Sequence, residues 1–268
     1  RVLFRSRVST VGDELKYATG GAAKVIAVSG KDRGAILLAG KRGTAYMYKE
    51  KSGRFASTTY YMKAHPEWHD KFYAANPQDK WAGKSWSPML PESAYARSMV
   101  EGQTWQLNLA GMGTKFPFQL PSSGPSYYAA MLRSPYGDEA TLDFARAAIE
   151  GESLGRNPAG ATDLLGISLS THDYINHSFG PESRVSHDHV LRVDRLLADF
   201  FNYLDRRVGA DKYVVALTSD HGFMNAPEYS NLIGVNAERL NSGMLMKELN
   251  AVLAKRFKVE GNLAAKFS

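Results

Sequence analysis

The 268-residue chain is 44% hydrophobic and 22% charged, with 24 glycines, 11 prolines and no cysteine, which suffices for one large domain or two small ones with a proper core. No apolar run approaches the roughly 20 residues a membrane helix requires, no internal repeat is visible, and the lack of cysteine excludes a disulfide framework and any thiolate metal site. The formal net charge of +6 favours anionic partners without naming one, and no long Lys/Arg block points to nucleic acid.

The opening RVLFRSRV is basic but lacks the uninterrupted apolar core of a secretory signal. STVGDELKYATGG follows, in which Thr10 and Asp13 have capping-box spacing and Gly20-Gly21 supplies a stop, so a helix is expected. KVIAVSG, residues 24 to 30, reads as a strand; KDRGAILLAG comes next and then, beyond a turn around Ser52-Gly53, the β-rich STTYYM at 57 to 62. From about 64 to 125 the pattern dissolves into loop formers and aromatics, with Trp68, Trp81, Trp86 and Trp105 all inside it. This stretch reads as a cap whose aromatics pack under long loops rather than stack on bases.

Ordered α/β pattern then resumes. DLLGISLS (163 to 170) and YVVALTS (213 to 219) are apolar runs of strand length, and between them residues 183 to 209 place Val190, Val193, Leu196, Leu197, Phe200, Phe201 and Leu204 at helical spacing. A βαβ unit is expected, its two strands parallel and buried on both faces. Ligands of open α/β sheets bind beyond the carboxyl ends of the strands. The polar clusters THDYINHSFGP and SDHGF stand there.

Asp173 and His177 are four apart, and Asp220 and His221 are adjacent. Alone, D-x-x-x-H is a common helix pair and D-H-G is weaker still. Both at the same ends of two neighbouring strands make a carboxylate and an imidazole twice over, the ligand chemistry of zinc or manganese and the outline of a two-metal site. His187 and His189, and the His65/His69 pair beside Pro66, have no such positional support and read as solvent-facing. On an extended segment Lys31 and Arg33 would share one face, with Asp32 on the other. Two such cations suit a phosphate, although Lys-x-Arg beside a strand is ordinarily a solvated edge. Gly30 and Gly34 would permit close approach of a ligand. The tail from Glu238 to Asn262 reads as one packing helix with an apolar stripe through Leu245, Leu249, Val252 and Leu253, stopped near Gly261.

The pattern S-x-x-D-x-x-x-H-x-x-G-P, followed some forty residues later by S-D-H-G, resembles the alkaline phosphatase superfamily, in its type I phosphodiesterase and nucleotide pyrophosphatase branch. The blocks STVGDEL, VIAVSGKDRGAILLAG, TTYYM, KSWSPMLP, LRSPYGDEATLDFARAAIEGESLG and LRVDRLLADFFNYLDRRVG are similar to those of PafA-type alkaline phosphatases. Asn176 departs from a position where Gly often precedes the ligand histidine. The resemblance implies an α/β fold, a mostly parallel sheet flanked by helices with an irregular aromatic-rich cap. It implies two Zn2+, one held by Asp173 and His177 and the other by Asp220 and His221, with Lys31 and Arg33 contacting the phosphoryl group of a phosphate monoester.

The same resemblance implies a threonine phosphoenzyme, a periplasmic or secreted location, and small-molecule phosphate monoesters as partners, with neither nucleic acid nor a membrane span. The family's threonine nucleophile and further metal ligands have no counterpart in this chain, which therefore reads as an internal fragment. Alone, it is expected to turn over an aryl phosphate negligibly and to hold zinc weakly; rapid turnover by the purified chain would contradict that. In this scheme residues 1–63 and 131–230 form the catalytic core, 64–130 the cap and 231–268 a peripheral helical segment. The alternatives are a phosphodiesterase, nucleotide pyrophosphatase or sulfatase of the same superfamily, or a non-catalytic anion-binding module.

Overall fold

The computed structural model describes residues 8–265. Helix α1 (Val11–Ala18) starts at the expected cap, where the Asp13 carboxylate accepts the Thr10 amide at 3.1 Å. The other oxygen of that buried carboxylate accepts the amides of Lys41 and Arg42, each at 2.8 Å, so a residue expected only to cap a helix also fixes a distant loop. β1 (Val25–Ser29), α2 (Asp32–Ala39), β2 (Thr44–Lys49) and β3 (Arg54–Ala56) follow. The expected turn at Ser52-Gly53 joins β2 to β3, Gly53 taking a φ of +67°. Residues 57 to 62, expected to be β-rich, instead form a turn in which Thr58 accepts the amides of Tyr61 and Met62, and the Tyr61 hydroxyl donates to the Gly40 carbonyl at 2.9 Å. Their aromatic residues satisfy themselves against the loop after α2 rather than in a ladder.

The stretch expected to form the cap holds α3 (Glu67–Ala74), 3-10 turns at Pro77–Asp79 and Glu92–Tyr95, and a two-residue ladder of β4 (Ser85–Trp86) with β5 (Phe118–Gln119), the rest being loop. α4 (Gly124–Leu132), α5 (Pro135–Glu152), β6 (Leu164–Ser168), α6 (Thr171–Phe179) and α7 (Arg184–Arg207) complete the ordered core. The main sheet has the order β3-β2-β1-β6, with β1 parallel to both β2 and β6 and β3 antiparallel at one edge.

Strand period sorts β1 between two layers. Ile26 and Val28 face an aromatic core with Tyr46, Phe55 and Phe144, where the Phe144 ring of α5 stands 5.2 Å from Tyr46 and 5.0 Å from Phe55. Ala27 faces Ala35, Ala39, Ala45 and Met47, and the small alanine side chains let α2 lie close on the other face. A smaller core of Trp86, Leu109, Phe118, Ile175, Phe179 and Val185 ties the cap to α6 and α7.

One expectation fails here. Residues 213 to 219 form no strand, with Val214 97% and Leu217 81% exposed, so the βαβ unit that would pair them with β6 is not closed. β6 pairs with β1 and is only half-buried along its length. Among the described residues no layer covers the faces of the 213–219 run, and a parallel strand without covered faces gains little from pairing.

From Asn225 onward the chain forms a second compact unit. It holds α8 (Pro227–Leu232) and α9 (Ser242–Phe257), the latter opened by Asn241, whose side chain accepts the Met244 amide at 3.1 Å. The Asn250 side chain donates to the Ala264 carbonyl and accepts its amide, closing the following loop back onto α9. The stripe expected to pack is largely open, with Val252 62% exposed. Among the described residues no helix is long and apolar enough to cross a membrane.

Candidate functional site

β1 and β6 run parallel in a register that places Ser29 beside Ser168, so both carboxyl ends open on one sheet edge. A helix starts immediately beyond each, and α2 and α6 thus aim their amide-rich, electropositive ends at the same place. The Ser29 and Ser170 hydroxyls meet at 3.2 Å, and Ser29 Oγ accepts the Lys31 amide at 3.0 Å. Gly34, expected to make room for a ligand, makes room for the strands instead. A Cβ there would lie 2.5 Å from Ser29 Oγ and 2.7 Å from Ser168 Oγ.

Lys31 and Arg33 do not sit on an extended segment. Lys31 is the N-cap of α2 and Arg33 an exposed residue of its first turn. Lys31 still turns inward, its ammonium against Asp173 Oδ2, with both side chains mostly buried. Asp173 Oδ1 lies 3.5 Å from His177 Nε2 and 3.4 Å from His221 Nε2. The Phe223 ring touches both imidazoles, each centroid 5.2 Å away. Asp220 is not drawn in: it is 84% exposed, and its carboxylate lies 3.6 Å from the imidazole of its own neighbour His221. The structure thus brings together Lys31, Asp173, His177 and His221 and leaves Asp220 and Arg33 at the rim.

Among the described residues, no three His, Asp or Glu side chains form a ready metal cage. The donor set nevertheless fits one. Two N or O ligands on a tetrahedral zinc, each about 2.0 to 2.2 Å from it, stand about 3.3 to 3.6 Å apart, the separation of Asp173 Oδ1 from both imidazole nitrogens. The Lys31 ammonium meanwhile neutralises the carboxylate from its other oxygen.

The family described as Type I phosphodiesterase / nucleotide pyrophosphatase matches residues 21–265. The chain belongs to that family. Its similarity to alkaline phosphatase PhoV of Synechococcus elongatus is 38% identity over 261 residues, covering 95% of this chain and 46% of the relative. It is 35% identical to alkaline phosphatase PafA of Elizabethkingia meningoseptica, covering 96% and 47%, and 37% identical to a Myroides odoratus protein named a calcium-transporting ATPase, covering 94% and 46%. The crystal structure of wild-type alkaline phosphatase PafA superposes with a TM-score of 0.84 at 34% identity, over 94% of this chain and 48% of that one. The chain thus spans under half the length of each of these relatives, and its alkaline-phosphatase-like fold is the expected one.

Behind the site of this phosphodiesterase-family chain lies a buried polar array that sequence reasoning missed. His189, expected to face solvent, is fully buried. Its Nε2 stands 3.1 Å from Asp138 Oδ2, and its Nδ1 3.1 Å from Nδ1 of His172. Asp138, itself buried on α5, also accepts the Thr171 amide at 3.3 Å, anchoring the first turn of α6 just ahead of Asp173. Burial, reinforced by the neighbouring His189 imidazole and opposed by Asp138 and Asp173, pushes His172 down to about 4. It is therefore neutral at ordinary pH and can share a single proton with His189. The His65/His69 pair is likewise not surface: the rings stack at 4.0 Å, and buried His69 bonds the Phe55 carbonyl through Nε2 at 2.8 Å.

Asp188 is a second missed anchor. Fully buried, it accepts from Trp86 Nε1 (2.7 Å), the Met89 amide (2.6 Å), the Tyr95 hydroxyl (2.7 Å) and Arg192 Nε (2.7 Å), joining the cap to α7. Burial alone would raise its pKa. The bonds from Arg192, Trp86, Tyr95 and Met89 outweigh that and hold it below the usual carboxylate range. The one local signal for such residues is a charge on the otherwise apolar face of a helix.

Proposed function

We propose that this chain carries metal and phosphate contacts of a zinc-dependent phosphate monoester hydrolase of the alkaline phosphatase kind, working outside the cytoplasm. The observation that carries the reading is the meeting of Asp173, His177, His221 and Lys31 at the carboxyl ends of β1 and β6. The names of the PhoV and PafA relatives support it. Asp173 and His177 would hold one zinc, and Asp220 and His221 a second. Bound zinc supplies Lewis-acid stabilisation of negative charge on oxygen. The attacking hydroxyl would be a threonine's; the chain spans under half the length of the PhoV and PafA relatives.

The chain's own residues do the following. The amino ends of α2 and α6, with the positive ends of their dipoles, face an incoming anion. Lys31 and Arg33 meet the non-bridging oxygens, and because a monoester dianion has one more charged oxygen than a diester, fixed cations favour it in the transition state. Lys31, paired with Asp173 at the strand ends, would be the cation placed to meet a phosphoryl oxygen if that carboxylate were engaged by a metal.

Substituting both cations tests this. In the protein as its gene encodes it, the Lys31→Ala/Arg33→Ala double variant is expected to lose about 100-fold or more in kcat/KM for an aryl phosphate monoester and clearly less for the corresponding diester. Equal losses on the two esters would reject the assignment of these cations to monoester recognition.

A further inference from the structure

Tyr174 follows Asp173 on α6 and is half-buried against the aromatic core. Its ring carries two cations: the Lys31 ammonium lies 4.7 Å from its centroid and the Arg133 guanidinium 4.5 Å. Two positive charges on one ring repel each other unless one is neutralised, and Arg133 is. Its Nη1 donates to Glu50 Oε1 at 2.9 Å and to the Ala129 carbonyl at 3.0 Å. Arg133 is thus pinned by α4 and by the residue after β2, and can hold the ring without competing for Lys31's charge.

Lys31 has four rotatable bonds and would otherwise wander. Its ammonium has the Asp173 carboxylate and the Tyr174 ring as partners. With the Asp173 carboxylate engaged elsewhere, the ring would be what keeps the ammonium at the strand ends. A π face holds a cation without drawing it into a fixed hydrogen bond, so all three N–H groups stay available to an anion.

We propose that Tyr174 is a positioning residue that holds the Lys31 ammonium over the site through its ring face, with the Glu50-paired Arg133 fixing the ring. The inference rests on the reading of Lys31 as a phosphate contact. The hydroxyl plays no part in it, only the π face.

The test is a cycle of Tyr174→Phe, Tyr174→Leu, Lys31→Ala and the Lys31→Ala/Tyr174→Leu double variant. It is made in the protein as its gene encodes it, reading kcat/KM on 4-nitrophenyl phosphate and inhibition by inorganic phosphate. Tyr174→Phe is expected to stay within about twofold of wild type, and Tyr174→Leu to lose about 3- to 30-fold with inorganic phosphate inhibiting proportionately less. The double variant should be no slower than Lys31→Ala alone, because a ring that serves only Lys31 has nothing to do without it. If Tyr174→Leu costs the same with and without Lys31, or Tyr174→Phe is as damaging as Tyr174→Leu, the residue is merely structural and the inference falls. If Lys31→Ala is impaired but Tyr174→Leu is not, the inference alone falls. If Lys31→Ala leaves kcat/KM unchanged, the phosphate-contact reading of Lys31 falls and takes the inference with it.

Discussion

Asp173→Ala is expected to abolish metal retention and to lower kcat/KM for a phosphate monoester by at least about a thousandfold, the scale of charge stabilisation that a bound ion supplies. The carboxylate is the hub of the site: one oxygen faces His177 and His221, and the other the Lys31 ammonium. Alanine removes the shared ligand and also leaves a mostly buried ammonium without its anion, so a loss of activity alone could come from local collapse. Asp173→Asn keeps the shape and removes the charge. Both variants should retain the wild-type far-ultraviolet circular dichroism while zinc after dialysis, measured by atomic emission, drops to background. Zinc content equal to wild type in both would remove Asp173 from the ligand set.

The second large effect falls on stability. Asp188 collects donors from Trp86, Met89, Tyr95 and Arg192 in a site with no exposure. Asp188→Ala leaves several buried donors without an acceptor, at a cost of about 3 to 5 kcal/mol and roughly 10 °C in thermal midpoint. The effect depends on pH in a defined direction. A carboxyl whose pKa is lower in the folded than in the unfolded chain stabilises the fold above the unfolded value, near 4, and loses that contribution as pH falls towards the folded value. The gap in unfolding free energy between wild type and Asp188→Ala should therefore be full at pH 6 and narrow below about pH 4. A gap that stays constant down to pH 3 would mean that the carboxylate's charge contributes nothing.

Much of this was legible from local pattern. The apolar runs at 25–29 and 164–168, the helical period of 184–207 and the Asp173/His177 spacing all act over a few residues, and each appears where the sequence put it. What was not legible depends on distant partners. Residues 213 to 219 have the composition of a strand, but composition says only that such a run gains from being covered, not what covers it. His189 stands beside Val190 on a helix whose period says nothing of Asp138, which lies 51 residues earlier and makes its burial tolerable. The Lys31/Arg33 geometry was misread because the helix begins one residue after Lys31 rather than after an extended linker. Lys31 reaches Asp173 from an N-cap, a position that two-residue alternation does not describe. Asp173 and His221 lie 48 residues apart, and it was the Asp-His-Gly triplet beyond an apolar run that hinted at their meeting.

A metal-dependent preference for phosphate monoesters is checked by removing metal from the protein as its gene encodes it, adding back zinc in steps, and comparing turnover of 4-nitrophenyl phosphate with that of bis(4-nitrophenyl) phosphate. Both activities are expected to vanish on chelation and to return with zinc, the monoester being the better substrate at every zinc level. Turnover that survives chelation, or a restored enzyme that prefers the diester, would rule out a metal-dependent monoesterase.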